Sequence, residues 1–421
     1  LALARSGVSV LLKEGGRNGS ADAVSARVRG ILVVSEVALV MTLLVGSGLL
    51  INSLVRLHRV QPGYDTSGTL TAELVLSAIK NPPGEFSPEP FNRFLEALTD
   101  RVRALPGVRE VSCAQSVPLT GVENNTTFNI VERPVASGEQ PSAQLRFIGV
   151  DYFDLLRIPV KAGRAFAARD TPRSPDVAIV NEAFVRSHFG GENPLGRHLK
   201  MGWGGEGPKE IVGVVGDVRH RSLSDTVRPE VYVPQAQFPN ASVTLLVRTE
   251  PSVDPDGLIG PIAAQVRELD PEMPLGEVRS LEAWRAKALA MPRFNAALLS
   301  ALSLLALLLT VVGLYGVMSY SVARRAPEMG IRMAIGARAG DVLRMILGEG
   351  LRLAGAGIAL GLMAAAALTR LMTSFLFEVS PTDPWTLASV TVLLILVAAL
   401  ACWLPARRAT RVDPMIALRC E

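Results

Sequence analysis

Catalytic motifs, histidine and cysteine are all scarce in this chain, and each scarcity removes a class of function. No G-x-S-x-G elbow, H-E-x-x-H helix or G-x-x-x-x-G-K-S/T loop occurs, so there is no recognisable hydrolase centre or ATP cradle, and no cofactor is expected. Of four histidines, His188, His198 and His220 have neither short ligand spacing nor companion Cys or paired carboxylates, so no metal site is expected and they read as solvated or capping residues. The three cysteines, Cys113, Cys402 and Cys420, fall in segments that a membrane would keep apart, which excludes an intrachain disulfide. Aromatic residues make up 5% and do not interleave with basic patches, so the net charge of +4 does not point to nucleic acid. An initiator Met and a signal peptide are missing as well. The opening Leu1-Ala2-Leu3-Ala4-Arg5 reads as the end of a preceding segment, and the chain is expected to be a fragment.

One pattern invites a false reading. Gly202-Trp203-Gly204-Gly205-Glu206-Gly207 satisfies G-x-G-x-x-G, but Pro208 and a β-rich run follow where a phosphate-binding helix would have to begin, so it reads as a loop.

What the chain does have is apolar length. Hydrophobic residues make up 49%, concentrated at about 31–54, 296–320, 351–372 and 385–404. Each stretch reaches the roughly 20 residues that a helix needs to cross a hydrocarbon core. Lys13, Arg17, Arg27 and Arg29 precede the first, Arg324, Arg325, Arg332, Arg338 and Arg344 lie between the second and third, and Arg407, Arg408 and Arg411 follow the fourth. The turn after the third carries Glu378 and Asp383 instead. Basic residues stay on the cytosolic side, so both termini are expected in the cytosol and residues 55–293 outside, in the periplasm of a two-membrane bacterium. The expected fold class is a membrane α-helical protein, four transmembrane helices arranged one plus three, with a large α+β extracytoplasmic domain. Its expected parts are a cytosolic tail or linker (1–29), a first transmembrane helix (30–54), the exported domain (55–293) and a closing membrane domain (294–421) with a cytosolic loop at 321–350.

Within the exported block, Phe91, Phe94, Leu95, Leu98, Val102 and Leu105 share one helical face, and Pro106-Gly107 ends that helix before a strand at 108–114. A second helix, turn, strand unit runs from Asp256 through Val266-Arg267-Glu268-Leu269 and Asp270-Pro271 to Glu277-Val278, echoing Val102-Arg103-Ala104-Leu105. Between them, strands are expected at 176–180, 211–215, 230–233 and 242–249, with Asn181 capping a helix that fades at Gly190. Residues 54–60 and 281–291 are helix-compatible stalks.

In the membrane segments, Glu36 is the carboxylate deepest within a span and is expected to snorkel or to pair with Arg27 or Arg29. Gly357 and Gly361 form G-x-x-x-G in an Ala-rich span, a pattern that lets two backbones approach. In the cytosolic loop, Pro327 and Glu328 suit a helix's first turn and Gly336 its end, while Met329, Met333 and Ile335 offer apolar area to a partner or to the bilayer surface.

The run Glu328-Met329-Gly330-Ile331-Arg332-Met333-Ala334-Ile335-Gly336-Ala337 resembles the coupling-helix signature of the FtsX-like permease domain of MacB-type ABC transporters. The likeness extends to Pro405-Ala406-Arg407-Arg408 and Val412-Asp413-Pro414. The exported block resembles that family's periplasmic core domain through Val177-Ala178-Ile179-Val180-Asn181-Glu182, Asn193-Pro194-Leu195-Gly196-Arg197 and Ile211-Val212-Gly213-Val214-Val215-Gly216-Asp217-Val218. The resemblance implies a mechanotransmitting permease that passes the motion of a separate ATPase into the exported domain for efflux or export. The coupling residues would be Glu328, Met329, Gly330, Ile331, Arg332, Ala334, Gly336 and Ala337. It also implies a cytosolic ABC ATPase in trans, a periplasmic adaptor or substrate, and a dimer or internally duplicated pseudo-dimer. Two features depart from the pattern: no ATPase is attached, and Pro327 precedes the Glu where the family often has Arg or a polar residue. The first 30 residues look like the tail of an earlier permease half, as in duplicated orphan permeases. The alternative is an ATPase-independent, membrane-anchored periplasmic binding or regulatory protein.

Overall fold

A computed structural model of the chain describes residues 20–75, 88–136, 138–203, 207–238, 242–325, 328–329, 331–332, 335, 338–371 and 373–409. The chain forms two compact units, one from the described residues up to His58 together with those from Pro292 on, the other from Arg59–Met291.

Helix α1 (Ser20–Arg59) leads to the second unit. There β1 (Thr69–Val75), α2 (Pro88–Arg103) and β2 (Val108–Ala114) are followed by β3 (Asn125–Ile130), β4 (Ser142–Ile148), the single turn α3 (Tyr152–Leu155), β5 (Val160–Gly163), β6 (Val177–Asn181) and α4 (Glu182–His188). Next come β7 (His198–Met201), β8 (Lys209–Val215), β9 (Glu230–Pro234), β10 (Ser242–Thr249), α5 (Ile259–Leu269), β11 (Leu275–Ser280) and α6 (Leu281–Ala288).

Two lobes share one sheet. Strands β11-β1-β10-β2 form an antiparallel half-sheet, and this order is that of a split β-α-β pair made of β1-α2-β2 and β10-α5-β11. Both helix, turn, strand units expected from the sequence therefore lie in this lobe. Phe91, Leu95, Leu98 and Val102 of α2 and Ile262 and Val266 of α5 bury their apolar stripes on Leu70, Leu74, Val111 and Leu245 of the sheet. Gly107 makes the turn into β2 at φ +85, where a Cβ would stand 2.9 Å from a Val253 methyl, so only glycine fits.

The second lobe is inserted between β2 and β10. Its strands run β4-β3-β7-β8-β6-β9, and the parallel β4–β9 pair closes them into a ring around Phe128, Leu145, Val180, Phe184, Leu199 and Val231. Asn181 caps α4 as expected, its Oδ1 accepting from Phe184 N at 2.9 Å. The same oxygen accepts from Glu230 N at 2.9 Å and Nδ2 donates to Arg228 O at 2.8 Å, so one side chain ties the helix start to β9. Gly202 and Gly207 lie between the antiparallel neighbours β7 and β8, with no helix after them.

The first unit is completed by α7 (Ala290–Arg324), α8 (Ala339–Leu371) and α9 (Pro384–Ala409). Stretch 281–291 is divided: Ser280 caps α6 by accepting from Ala283 N at 3.2 Å, and Leu289 ends it before α7 begins. Among the described residues four helices, α1 and α7–α9, are long and apolar enough to cross a membrane. Their shared core mixes large aliphatic and small side chains, among them Val37 and Met41 of α1, Leu314 of α7, Ile358 of α8, and Ala398 and Cys402 of α9. Leu298, Leu305, Leu309 and Val312 of α7 and Leu396 and Leu400 of α9 stay exposed. An exposed apolar belt of this kind is costly in water and is what lipid requires.

Candidate functional site

The segment between α7 and α8 is held to the helical bundle at several points. Arg325 pairs with Glu349 at 2.9 Å, and Met329 N donates to Arg325 O at 2.9 Å. Ile335 N donates to Ile331 O at 3.0 Å, a helical spacing. Glu328 and Arg332 pair across one turn at 2.6 Å, and Arg332 Nη1 lies 3.1 Å from Met345 Sδ. Met329 is 3% exposed and packs in the bundle core with Val342 and Ile346. This corrects the expectation that Met329 offers its area outward: it is the anchor, and the area offered is that of Ile331, 49% exposed, and Ile335, 82% exposed. Gly330, Met333, Ala334, Gly336 and Ala337 lie outside the described residues. Asp341 Oδ2 accepts from Arg338 N at 3.2 Å, capping the start of α8.

Gly357 and Gly361 both lie on the α1 side of α8. A Cβ at Gly357 would stand 2.6 Å from Val37 Cβ, and one at Gly361 2.5 Å from Met41 Cβ and 2.7 Å from Ala38 O. Thr42 Oγ1, which also donates to Ala38 O in its own helix at 2.9 Å, lies 3.4 Å from Gly361 O. Glu36 lays its carboxyl against α7, where a Cβ on Gly313 would come within 2.6 Å of it, and Arg29 stacks over the Tyr320 ring at 4.1 Å. At the other end of α1, Phe377 N donates to Ser53 Oγ at 2.8 Å, and Asp383 Oδ2 accepts from Thr386 N at 3.0 Å and from Asn52 Nδ2 at 3.4 Å.

Unit 59–291 contains a buried polar cluster that the sequence reading missed. Arg146 of β4 and Glu230 of β9, each 3% exposed in the side chain, approach to 3.5 Å. Tyr232 Oη donates to Glu230 Oε2 at 2.6 Å, and Arg146 Nη1 donates to Ser116 Oγ at 3.2 Å and Val122 O at 2.8 Å. His220 Nε2 lies 3.4 Å from Glu230 Oε2. Burial pushes the Glu230 carboxyl up to about 7 against the pull of Arg146. Burial and the Arg146 charge hold His220 well below its usual value. The expectation of solvated or capping histidines needs correction at His220 and His188, while His198, its side chain 43% exposed, fits it. His220 is buried, and His188 is half-buried against Phe128 and Phe184, both ring centroids 4.9 Å away. His198 Nδ1 approaches Glu132 at 3.1 Å. Among the described residues no three His, Cys, Asp or Glu side chains are grouped to hold a metal ion. A signal existed in Gln144 and Arg146, polar positions inside an otherwise apolar run, but their partners are distant in sequence.

Four apolar helices, a basic loop docked on them and a large two-lobed domain inserted in sequence between the first and second of those helices give the layout of a membrane protein with one large extramembrane domain. Residues 31–264 match the family model of the MacB-like periplasmic core domain and residues 300–414 that of the FtsX-like permease C-terminal, so the chain belongs to the MacB and FtsX permease family.

Among its curated relatives is a macrolide export ATP-binding/permease protein MacB from Mannheimia succiniciproducens, 25% identical over 296 residues, which are 66% of this chain and 44% of the relative. A protein of the same name from Bartonella quintana is 26% identical over 339 residues, 75% of this chain and 50% of the relative. The chain thus spans half or less of the length of these relatives. The crystal structure of the periplasmic region of MacB from Actinobacillus actinomycetemcomitans is similar to 53% of this chain over 94% of its own length, with a TM-score of 0.36 and 16% identity.

Proposed function

We propose that the chain is a permease subunit of the mechanotransmission kind in a bacterial inner membrane, coupling a separate ATPase to movement of residues 55–293 for efflux or export. The observation that carries this reading is the segment around Met329: one apolar residue fixes it to the bundle while Ile331 and Ile335 stand exposed beside it. A lever needs both, a rigid hold on the helices and a free apolar face for the motor. In this reading Glu328–Ala337 is the contact for an ABC ATPase in trans, the basic loops hold both termini in the cytosol, and residues 1–29 are a cytosolic tail. The relatives' printed name, ATP-binding/permease, supports the pairing with an ATPase. A periplasmic adaptor or substrate, and a dimer or pseudo-dimer, complete the assembly.

Ile331→Asp tests the contact. Burying an isoleucine contributes about 1.5–3 kcal/mol, and about 1.4 kcal/mol is tenfold in affinity, so co-purification of the ATPase from membranes should fall by roughly 10- to 100-fold while the bundle stays folded. Association unchanged by Ile331→Asp and Ile335→Asp together would favour an ATPase-independent binding or regulatory protein.

A further inference from the structure

Strand β2 has a full ladder along one edge only. It pairs with β10 from Thr244↔Ala114 to Thr249↔Val108, while on its other edge β4 meets it at the single pair Ala114↔Ile148. Two bonds mark this junction: Gly149 N donates to Cys113 O at 2.6 Å and Gln115 N to Phe147 O at 2.8 Å. Main-chain groups of alternate residues in a strand point the same way. The N–H and C=O of Val111 therefore face the same side as those of Cys113, away from β10. Among the described residues no strand continues the ladder there, and Arg103 Nη2 reaches Val111 O at 3.4 Å.

Because the ladder stops after one pair, the sheet forks, and the fork opens a cleft of about 1050 Å³. Its walls are the polar side of α2, residues 149–151, the segment 167–173 and the end of β9, with Val111, Ser112 and Cys113 along its floor. Ser112 is 4% exposed, and its Oγ has no hydrogen-bond partner. A buried, unpartnered hydroxyl costs free energy unless a ligand supplies the bond. The charges in the cleft are mixed, three arginines and four carboxylates, and several already pair: Arg103 with Asp151 at 3.0 Å and Asp170 with Arg164 at 2.7 Å. Such a lining sets up no field of one sign to draw a polyanion or polycation. Its distinctive chemistry is the main-chain N–H of Val111 and its C=O, which Arg103 reaches only at 3.4 Å, on an open strand edge flanked by apolar Leu95, Ile148 and Pro234.

We propose that this cleft binds an extended segment of another polypeptide, added as a strand to the open edge of β2 at Val111. Strand addition takes its affinity from main-chain bonds and its selectivity from pockets for alternate side chains. Here one set of side chains would face α2 and the other Ser112. The site needs neither an ATPase nor movement of the helices, so it stands whether or not the coupling reading does.

The test uses the full chain in lipid nanodiscs, panned against a phage-displayed library of random linear 12-residue peptides, with empty nanodiscs as the counter-selection. Enriched peptides are synthesised, and hydrogen exchange of the Val111 amide is followed with and without them. Exchange at Val111 should slow at least tenfold on saturation. Affinity should fall at least tenfold when alternate peptide amides are N-methylated on the pairing side. Val111→Pro should lower affinity similarly, because it removes the N–H that faces the cleft and none that pairs with β10. Should that variant fail to fold, the exchange and N-methylation measurements on the unaltered chain still decide. No enrichment over empty nanodiscs, or enriched peptides that leave Val111 exchange unchanged, would overturn the proposal.

Discussion

Arg146→Ala should destabilise unit 59–291 by about 3–5 kcal/mol at pH 8, the usual cost of removing one partner of a buried ion pair. Arg146 and Glu230 are each 3% exposed, so removing the guanidinium leaves the Glu230 carboxylate buried without its cationic partner, and Ser116 and Val122 lose their donor as well. At pH 5 the cost should be smaller, because Glu230, with its carboxyl pushed up to about 7, is then largely neutral with or without Arg146. Thermal unfolding at the two pH values, followed by the fluorescence of Trp203 and Trp284 in a variant with Trp385 and Trp403 replaced by Phe, measures the difference; an equal cost at both would mean that Glu230 does not titrate in this range.

The same cluster gives two opposed pH slopes. Glu230 has a folded value above its unfolded one of about 4.3, so its contribution is fully present at low pH and is lost as pH rises through about 7. His220 is held below its usual value, so the unfolded chain takes up a proton near pH 6.5 that the folded chain does not, and stability is lost as pH falls. Between about pH 5 and 6.5 the two largely offset each other. Glu230→Gln should leave the His220 slope alone, with stability rising with pH by up to about 1.4 kcal/mol per unit, and His220→Asn should leave the Glu230 slope, falling with pH by up to a similar amount. Identical slopes in the two variants would refute the assignment.

The polar cluster also shows where sequence reading stops. The echo of Val102–Leu105 in Val266–Leu269 was legible because helix periodicity and the Pro, Gly and Asp that punctuate it are local signals. The structure makes these the two halves of one split β-α-β pair. Strand β4 carries Gln144 and Arg146 at positions that turned out buried, which breaks any apolar run. What makes their burial tolerable is Asn125 beside Gln144 and Glu230 beside Arg146, 19 and 84 residues away. His220 read as solvated for the same reason. The fork beside β2 has no sequence signature, since it depends on a ladder ending at Ala114↔Ile148. In the segment between α7 and α8, composition identified an apolar face, but which of Met329, Ile331 and Ile335 faces the bundle is set by packing against Val342 and Ile346.

Alanine at Gly355 and alanine at Gly361 should act in opposite directions, although both glycines lie in α8. A Cβ at Gly355 meets no atom within 4 Å, so the substitution only removes glycine's backbone entropy and should stabilise the helix by about 0.5–1 kcal/mol. At Gly361 the same methyl would stand 2.5 Å from Met41 Cβ and 2.7 Å from Ala38 O. One of these is backbone, so relief requires α1 and α8 to separate rather than a side chain to turn. Overpacking of this kind costs about 1–3 kcal/mol, enough to outweigh the propensity gain. Gly361→Leu, which cannot fit by a small shift, should cost more and abolish the Thr42 approach to Gly361 O. Thermal unfolding of the full chain in one detergent ranks the variants, with Gly355→Ala above the unaltered protein and Gly361→Leu lowest. Equal stability of Gly355→Ala and Gly361→Ala would mean that α1 and α8 do not meet backbone to backbone. If the ordering holds, Gly361→Ala also becomes a means of weakening the α1–α8 contact without touching Ile331, so that binding of an ATPase and transmission through the helices can be measured separately.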